Sequence, residues 1–379
     1  VAVAAHAGLW LHLHLARAAH GPVTTLAELL ARRIALTGPI TVAEFMAESL
    51  GHPVHGYYQR RDPFGSAGDF ITAPEVSQMF GEMIGLWCVE VWQTMGSPSP
   101  CLLVELGPGR GTLMADALRA ARIRPAFGQA MRLHLVETSP HLRERQASVL
   151  AAHHPSWHDS FSEIPEGPLL LVANEFFDAL PVHQFVLGPK GWQERMVAAN
   201  DGKLVFASAH PGPSFALLSE RQRGGQAAEV SPAAIALAGE LGRRLAAHGG
   251  AALIVDYGSA QSLPGESLQA VRQHQPVDVL ADPGSADLSA HVDFAGLLGA
   301  ATSAGAAAHG PLPQGEFLQR LGLDARAASL KARATPAQAR EIDAARRRLL
   351  DAREMGTLFK AMALSSPSLP VPPGFAELT

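Results

Sequence analysis

Cysteine is nearly absent from this sequence, which has two among its 379 residues. Cys88 and Cys101 form no C-x-x-C pair, which excludes a disulfide framework and argues against a zinc site built on thiolates. Both lie in apolar runs, where we expect them to be buried as small hydrophobic residues. The sequence therefore predicts a protein of a reducing compartment without a metal site.

Long apolar runs and an excess of basic residues are also absent. No stretch reaches the roughly 18 consecutive apolar residues that would predict a membrane-spanning helix. The formal net charge is -5, which argues against a broad basic surface for nucleic acid but leaves room for a local patch. Hydrophobic residues make up 47% of the chain and charged residues 17%, the balance of a soluble globular protein.

Short apolar runs alternate with helical segments in the middle of the chain. The runs that we predict to be strands cover residues 101–106, 131–136, 168–173 and 251–255. Because this alternation is typical of strands buried beneath helices, we predict a doubly wound, mostly parallel sheet of the α/β class. Residues 182–187 and 192–197 predict a β-hairpin within a long insertion between the third and fourth strands.

Two helices are predicted ahead of this sheet. Thr41 with Glu44, and Thr72 with Glu75, have the spacing of a capping box. In this motif each of the two side chains binds the backbone at the start of a helix. We expect the second helix to continue from Thr72 to about residue 95.

A glycine-rich turn follows the first predicted strand. Gly107, Gly109 and Gly111 precede a helix, and such a turn points backbone N–H groups at an anion. Their spacing differs from the G-x-G-x-x-G pattern of dinucleotide-binding folds. Glu105, two residues before the first glycine, would repel a pyrophosphate and attract a cation.

Glu137 follows the second predicted strand, where doubly wound folds place an acid that binds ribose hydroxyls. S-adenosylmethionine carries an ammonium and a sulfonium for Glu105, a ribose for Glu137 and a carboxylate for the N–H groups of the turn. The residues therefore favour S-adenosylmethionine over a dinucleotide. A turn that serves only the fold is the remaining alternative.

These residues resemble the first motif and the following acid of class I, Rossmann-like, S-adenosylmethionine-dependent methyltransferases. Longer motifs spread over residues 35–364 are similar to those of one family among them, the MidA-type methyltransferases. The motifs begin at Gly38, His55, Gly68, Glu105, Val136, Asn174, Asp256, Asp287 and Met355. This set covers nearly the whole chain and is far more specific than any single motif in it.

The resemblance implies an activity as well as a fold. The mitochondrial members of the family are arginine methyltransferases required for the assembly of respiratory complex I. We therefore expect S-adenosylmethionine as the cofactor, a protein partner such as a complex I subunit, and no nucleic-acid partner. Location in the bacterial cytoplasm is expected, with the mitochondrial matrix as the alternative, and the oligomeric state is not predicted.

Two other functions stay open for the same cofactor site. The protein could be a methyltransferase of small molecules, or a protein that binds S-adenosylmethionine and assists assembly without turnover. A dinucleotide oxidoreductase is a third alternative, from a different class of enzyme. The size of the insertion favours a protein partner, because a hairpin and loops of this length exceed what cofactor binding requires.

Candidate catalytic residues follow the third predicted strand. Asn174, Glu175 and Asp178 would lie at the crevice, since the carboxyl ends of strands face the ligand in doubly wound sheets. Carboxylates bind a guanidinium with two hydrogen bonds, and they can orient the attacking nitrogen and accept its proton. The alternative is that Asp178 caps a turn and Asn174 binds the backbone.

The resemblance adds Gly68, Thr72 and Thr138 to the residues expected to bind the cofactor. Gly68 and Thr72 lie in a glycine-, proline- and aromatic-rich stretch, and long loops of this kind usually have a function. Thr138 follows Glu137 within the motif that begins at Val136.

The chain is predicted to divide into one main domain and its flanking segments. Residues 1–36 would form an amino-terminal extension and helix, and residues 365–379 a carboxy-terminal tail. The methyltransferase domain would span residues 37–364, with a helical cap over 37–98 and an insertion over 182–250.

Overall fold

A large mixed sheet lies at the centre of the fold in the computed structural model, which describes residues 25–60 and 72–376. The strands in chain order are β1 (Ile40–Thr41), β2 (Cys101–Leu106), β3 (Met131–Val136), β4 (Ser156–His158), β5 (Leu169–Asn174), β6 (His183–Gly188), β7 (Gly191–Asn200), β8 (Lys203–Ala209), β9 (Ala227–Val230), β10 (Gly250–Ser259), β11 (Gln269–Arg272), β12 (Gln275–Val277), β13 (Asp287–Ser289), β14 (Val292–Asp293), β15 (Ala307–Pro313) and β16 (Phe359–Ser365).

The α-helices are α1 (Leu26–Thr37), α2 (Val42–Gly51), α3 (Tyr57–Arg60), α4 (Ala73–Val76), α5 (Gln78–Thr94), α6 (Thr112–Ala121), α7 (Pro125–Ala130), α8 (Pro140–Val149), α9 (Glu220–Arg223), α10 (Pro232–His248), α11 (Phe294–Ser303), α12 (Gln314–Arg320), α13 (Leu323–Lys331), α14 (Pro336–Leu350) and α15 (Met355–Leu358). The extension expected before residue 25 lies outside the described residues, whereas its expected helix is present as α1.

The central sheet has the strand order β15-β16-β10-β5-β2-β3-β4, with β14 paired to β10. Neighbours from β10 to β4 run parallel, whereas β16 is antiparallel to both β10 and β15. The chain runs outward from β2 through β3 to β4 and returns to form β5 on the other side of β2. The predicted doubly wound α/β sheet is confirmed, and this reversal opens a crevice at the carboxyl ends of β2 and β5.

Helices cover both faces of this sheet. Every residue of β2 and of β5 is buried, and successive side chains along a strand point to opposite faces. Leu103 packs with α5 and α6, whereas Leu102 and Val104 pack with α10 and α11. Burial on both faces explains why these strands are almost entirely apolar in the sequence. Cys88 and Cys101 are both buried, as predicted.

A second sheet, which is antiparallel, carries the insertion. Its strand order is β1-β7-β6-β9, and β8 also pairs with β7. The predicted hairpin is present as β6 and β7, which are joined through Pro189 and Lys190. Because Ile40 of β1 pairs with Val197 of β7, residues of the expected cap share this sheet with the insertion. The division of the chain into cap, insertion and tail stays a prediction.

A third sheet of three strands, β12-β11-β13, lies next to the second one. Residues of α1 and α2, of the second sheet and of the third sheet together form one hydrophobic cluster. The cluster therefore joins the start of the described chain to the segment that follows β10. This packing brings β13 and α3 close to the carboxyl end of the central sheet.

The prediction of one helix from Thr72 to about residue 95 is wrong, because this segment forms two helices, α4 and α5. Ser77 has extended backbone angles, with φ -166° and ψ 139°, and separates α4 from α5. Thr72 makes no capping hydrogen bond through its side chain. The Glu75 carboxylate instead accepts a 2.7 Å hydrogen bond from Thr112 Oγ1, so the predicted capping box does not form.

The other predicted capping box, at the start of α2, is confirmed. Thr41 Oγ1 accepts a hydrogen bond from the Glu44 amide at 3.1 Å, and Glu44 Oε2 accepts one from the Thr41 amide at 2.9 Å. The two bonds satisfy amides that have no partner within the helix. Helix α2 consequently begins at the residue that the sequence predicts.

Gly242 in α10 packs against the backbone of α11, and we expect a side chain there to destabilise the fold. A Cβ at Gly242 would lie 2.4 Å from the Ala301 carbonyl oxygen, whereas a Cβ at Gly239 would meet Ala300 O at 3.9 Å. Gly242→Ala should lower the free energy of unfolding by about 1–3 kcal/mol. Gly239→Ala should raise it by up to about 1 kcal/mol. Urea denaturation measures both, and equal effects would contradict this packing.

Candidate active site

The predicted glycine-rich turn follows β2 at the crevice. Gly107, Gly109 and Gly111 have φ angles of 61°, 52° and 80°, in the left-handed region that favours glycine. A Cβ on Gly107 would lie 2.9 Å from Phe176 Cδ2, so a larger residue would displace the Phe176 ring. Gly111 immediately precedes α6, and the turn therefore presents backbone N–H groups at the start of a helix.

Glu105, the predicted acid before this turn, is buried with 3% of its surface exposed. Its Oε2 atom has no hydrogen-bond partner among the described residues. Burial, and then the charge of Glu137, raise the pKa of Glu105 to about 8. A buried carboxyl oxygen without a partner is costly, and a cationic ligand would relieve that cost. The residue therefore fits the ammonium of S-adenosylmethionine.

Glu137, the predicted ribose-binding acid, lies beyond β3 at the same edge of the sheet. Glu137 Oε1 accepts a 2.8 Å hydrogen bond from the Ser139 amide, and Oε2 accepts a 3.2 Å bond from Gln146 Nε2. Gln146 Nε2 also donates to the Gly109 carbonyl at 2.7 Å, and its Oε1 accepts from Trp157 Nε1 at 2.8 Å. Gln146 therefore ties Glu137 to the glycine turn, a role that no local sequence pattern predicts.

The other three predicted cofactor residues have different surroundings. Thr72 is half-buried and lines the cavity beside Glu175. Thr138 has an exposed side chain next to Glu137. Gly68 lies outside the described residues. Binding of the cofactor by these three residues stays a prediction.

Glu175, at the end of β5, has a φ angle of 51°, which is uncommon for a residue with a side chain. Backbone strain of this kind is concentrated at functional sites. Glu175 Oε1 accepts hydrogen bonds from the Ala73 amide and from Asn174 Nδ2, both at 3.1 Å. Burial nevertheless raises the pKa of Glu175 to about 7. Asn174 orients this carboxylate, and its own buried Oδ1 has no hydrogen-bond partner among the described residues.

A buried carboxylate holds the turn that follows Glu175. Asp256 has no exposed surface. Its Oδ2 accepts hydrogen bonds from three consecutive amides, those of Phe176, Phe177 and Asp178, at 3.1, 2.9 and 3.3 Å. These bonds fix the backbone from which the Asp178 side chain projects. The sequence places Asp256 after a strand, but nothing in it predicts that its carboxylate binds a turn 78–80 residues earlier.

An open cavity of about 190 Å³ adjoins these residues. The described residues that line it include no basic one, and they are Tyr57, Tyr58, Thr72, Glu175, Asp178, Tyr257, Gln269, Asp287, Ser289, Leu358 and Phe359. Burial, and then the charges of Asp256, Asp287 and Glu175, raise the pKa of Asp178 well above its usual value. Three carboxylates without a basic side chain among the lining residues make the cavity suited to a cation.

Strand β13 forms one wall of this cavity. Asp287 and Ser289 are two residues apart on the strand and therefore point to the same face. The Tyr58 hydroxyl donates a 2.9 Å hydrogen bond to Asp287 Oδ1, and the Tyr257 hydroxyl donates a 2.6 Å bond to Ser289 Oγ. Tyr58, Asp287 and Ser289 are not among the predicted site residues, although Asp287 begins one of the family motifs. Tyr58 and Asp287 are 229 residues apart, so no local spacing relates them.

Helix α4 connects the glycine turn to Glu175. The Ala73 amide donates to Glu175 Oε1 at 3.1 Å. From the same helix, Glu75 accepts the 2.7 Å hydrogen bond from Thr112 Oγ1 and forms an ion pair with Arg110 at 3.5 Å. The cofactor turn and the candidate catalytic carboxylate are therefore positioned by one short helix.

The described residues hold no group of three His, Cys, Asp or Glu side chains placed to bind a metal ion. The two helices that have 17 residues, α5 and α10, are the longest in residues 25–60 and 72–376. None of the helices there is long and apolar enough to cross a membrane.

Replacement of Glu105 by glutamine should separate cofactor affinity from folding. Glu105→Gln keeps the shape but removes the charge, so we expect the Kd for S-adenosylmethionine to rise at least about tenfold. The melting temperature of the free protein should stay the same or rise, because a buried carboxylate with an unpartnered oxygen is lost. Calorimetry and thermal denaturation measure the two effects. Glu90→Gln, on the exposed face of α5, is the control, and equal affinities in both variants would contradict the assignment.

Comparison with known proteins supports the same cofactor. The sequence profile of S-adenosyl-L-methionine-dependent methyltransferases matches residues 83–312. The chain is 40% identical over 324 residues to the mitochondrial protein arginine methyltransferase NDUFAF7 of Danio rerio, covering 78% of this chain and 76% of that one. It is 37% identical over 380 residues to the Homo sapiens protein of the same name, covering 91% and 84%.

A solved structure is similar over almost the whole chain. It is a crystal structure of a superfamily member from Burkholderia thailandensis bound to S-adenosyl-homocysteine. Its TM-score is 0.79 at 28% sequence identity, and the match covers 95% of this chain and 98% of that one. These similarities confirm the family that the sequence motifs predict. The chain belongs to the S-adenosyl-L-methionine-dependent methyltransferases, within the family that contains the NDUFAF7 proteins.

Proposed function

We propose that this protein transfers a methyl group from S-adenosylmethionine to an arginine side chain of a protein substrate. The observation that carries the proposal is the acidic cavity beside the glycine turn. Glu175, Asp178 and Asp287 bring three carboxylates to it, and the lining residues that the structure describes include no basic one. A guanidinium, which is planar, always charged and rich in N–H donors, complements such a cavity.

The residues around the glycine turn would hold the cofactor. Glu105 would bind its ammonium and Glu137 its ribose hydroxyls. The Gly109 amide would meet its carboxylate, because the amides of Gly107 and Gly111 already donate to the carbonyls of Val136 and Pro108. When bound, S-adenosylmethionine supplies a methyl group on a sulfonium, which is open to attack by a nucleophile. The unpartnered Oε2 of Glu105 and the glycine turn itself support this fit.

The acidic residues would bind the substrate and move its proton. Asp178, on the turn fixed by Asp256, would hold the guanidinium, and Glu175 would orient the attacking nitrogen. Glu175 lies at the end of β5, which pairs with β2, the strand before the glycine turn, and this supports a position between the two proposed binding sites. Its pKa of about 7 suits a group that accepts a proton near neutral pH. Asn174 would keep that carboxylate in position through its 3.1 Å hydrogen bond.

The proposal also concerns the protein that carries the methylated arginine. A subunit of respiratory complex I, methylated during assembly, is the proposed substrate because the family resemblance implies it. The names of the relatives, which are mitochondrial protein arginine methyltransferases, support a protein acceptor. The second sheet, β1-β7-β6-β9 with β8, provides a surface for a protein partner. The bacterial cytoplasm, or alternatively the mitochondrial matrix, is the proposed location.

Transfer of labelled methyl groups tests the proposal directly. The purified protein is incubated with methyl-labelled S-adenosylmethionine and a heat-treated cell extract, and the protein fraction is then hydrolysed to amino acids. We expect the label in methylarginine. Label confined to small molecules would favour the alternative methyltransferase, and cofactor binding without any transfer would favour an assembly factor without turnover. Either outcome would contradict arginine methylation.

Glu175 should control the rate without controlling cofactor affinity. Glu175→Gln removes the proton acceptor, so we expect kcat to fall by about 100-fold or more, with the Kd for S-adenosylmethionine changed less than twofold. Because Glu175 works only when ionised, the rate of the unchanged protein should fall as the pH drops below about 7. A rate in Glu175→Gln close to that of the unchanged protein would remove this residue from the mechanism.

A further inference from the structure

Asp287 and Tyr58 are joined by a hydrogen bond and both line the cavity. Neither residue belongs to the central sheet. We propose that Asp287, oriented by Tyr58, is the second carboxylate of a clamp that binds the substrate guanidinium together with Asp178 and selects arginine over lysine. The inference rests on the proposed function and deepens it, because it concerns the substrate side of the same site. The two carboxylates of the clamp come from the turn after β5 and from β13, which are far apart in sequence.

The backbone of Asp287 is held by the third sheet. Asp287 pairs with Val271 of β11, and Leu288 pairs with Ala270 in the same antiparallel ladder. Leu288 has 2% of its surface exposed and packs in the hydrophobic cluster beneath the sheet. Because side chains alternate along a strand, burial of Leu288 directs Asp287 to the cavity. A carboxylate on a paired strand is held more firmly than one on a loop.

The Tyr58 hydroxyl fixes the orientation of this carboxylate. It donates the 2.9 Å hydrogen bond to Asp287 Oδ1. Burial, and then the charges of Asp287 and Asp178, raise the pKa of Tyr58 well above its usual value, so the hydroxyl keeps the proton that it donates. Tyr57, which has 1% of its surface exposed, packs edge-on against the Tyr58 ring at 5.1 Å between ring centroids. Tyr58 is therefore anchored by a buried neighbour, and Asp287 is oriented before a substrate arrives.

Asp178 reaches the cavity from an unrelated element. Its backbone belongs to the turn whose three amides bind the Asp256 carboxylate, so its position does not depend on β13. Asp178 and Asp287 line the same cavity, and the charge of Asp287 contributes to the raised pKa of Asp178. A cation between them would relieve their repulsion.

The chemistry of two fixed carboxylates favours a guanidinium over an ammonium. A guanidinium has five N–H donors in one plane and can bind two carboxylates along two of its edges. A lysine ammonium has three donors at a single point and is more strongly hydrated. Removal of one carboxylate should therefore weaken the binding of arginine more than that of lysine.

Binding of blocked amino acids tests the clamp without knowledge of the natural substrate. The probes are N-acetyl-arginine methylamide and N-acetyl-lysine methylamide, measured by nuclear magnetic resonance with S-adenosyl-homocysteine present. In Asp287→Asn we expect the Kd of the arginine probe to rise at least about tenfold, and the preference for arginine over lysine to shrink. Tyr58→Phe, which keeps the carboxylate but removes the hydrogen bond to its Oδ1 atom, should give a rise of about threefold.

Two controls separate a clamp from a structural role. Asp282→Asn changes a carboxylate of the same segment whose side chain is 66% exposed and pairs with Arg272, and it should leave the affinity for both probes unchanged. The affinity for S-adenosyl-homocysteine should be equal in all variants. If Asp287→Asn lowers it in parallel with that of the arginine probe, Asp287 acts through the fold and the clamp is wrong. No binding of the arginine probe to the unchanged protein would overturn the clamp as well.

The clamp and the proposed function can fail separately. If methylarginine forms but Asp287→Asn leaves the KM for the protein substrate unchanged, the clamp is wrong and the function stands. If binding of the arginine probe depends on Asp287 but no methylarginine forms, the clamp stands and the function is wrong. A rise in KM with little change in kcat is the result that we expect, since Asp287 binds the substrate and does not accept its proton.

Discussion

Strands β2 and β5 pair in parallel, with Leu106 beside Ala173 at the end of the shared register. The glycine turn leaves the first strand and Glu175 leaves the second at the same edge of the sheet. The proposed cofactor and acceptor sites are therefore adjacent. The reversal of strand order between β4 and β5 places a crevice at this edge, where doubly wound sheets bind ligands.

Hydrogen bonds, and not pKa values, distinguish the carboxylate that holds the fold from those that we propose to bind a ligand, since burial also raises the pKa of Asp256 to about 7. Asp256 is buried and bound by the amides of a turn, so its partners are already present. Glu105 has an oxygen without a partner, and burial raises the pKa values of Glu105 and Glu175 to about 8 and about 7. The site thus has groups whose ionised form is costly until a cation arrives. A sulfonium cofactor and a guanidinium acceptor would each supply one.

Much of the fold can be predicted from the sequence because parallel strands buried on both faces are almost entirely apolar. The strand that ends at Leu106 and the glycines after it are recognised from local pattern, as is the hairpin around Pro189 and Lys190. The helix around Ser77 is predicted incorrectly, because a capping box is a local signal and the Glu75 side chain binds Thr112 in another element. Tertiary contacts overrule the local preference there.

The sequence by itself determined the family, the cofactor turn and the acids at the strand ends, since each depends on residues that are adjacent or nearly so. Only the tertiary structure decided which side chains surround the acceptor cavity. Tyr58 meets Asp287 across 229 residues, and Asp256 holds a turn 78–80 residues away. Such contacts arise from the packing of three sheets. Local spacing in the sequence cannot predict them, because the side chains that meet are far apart along the chain.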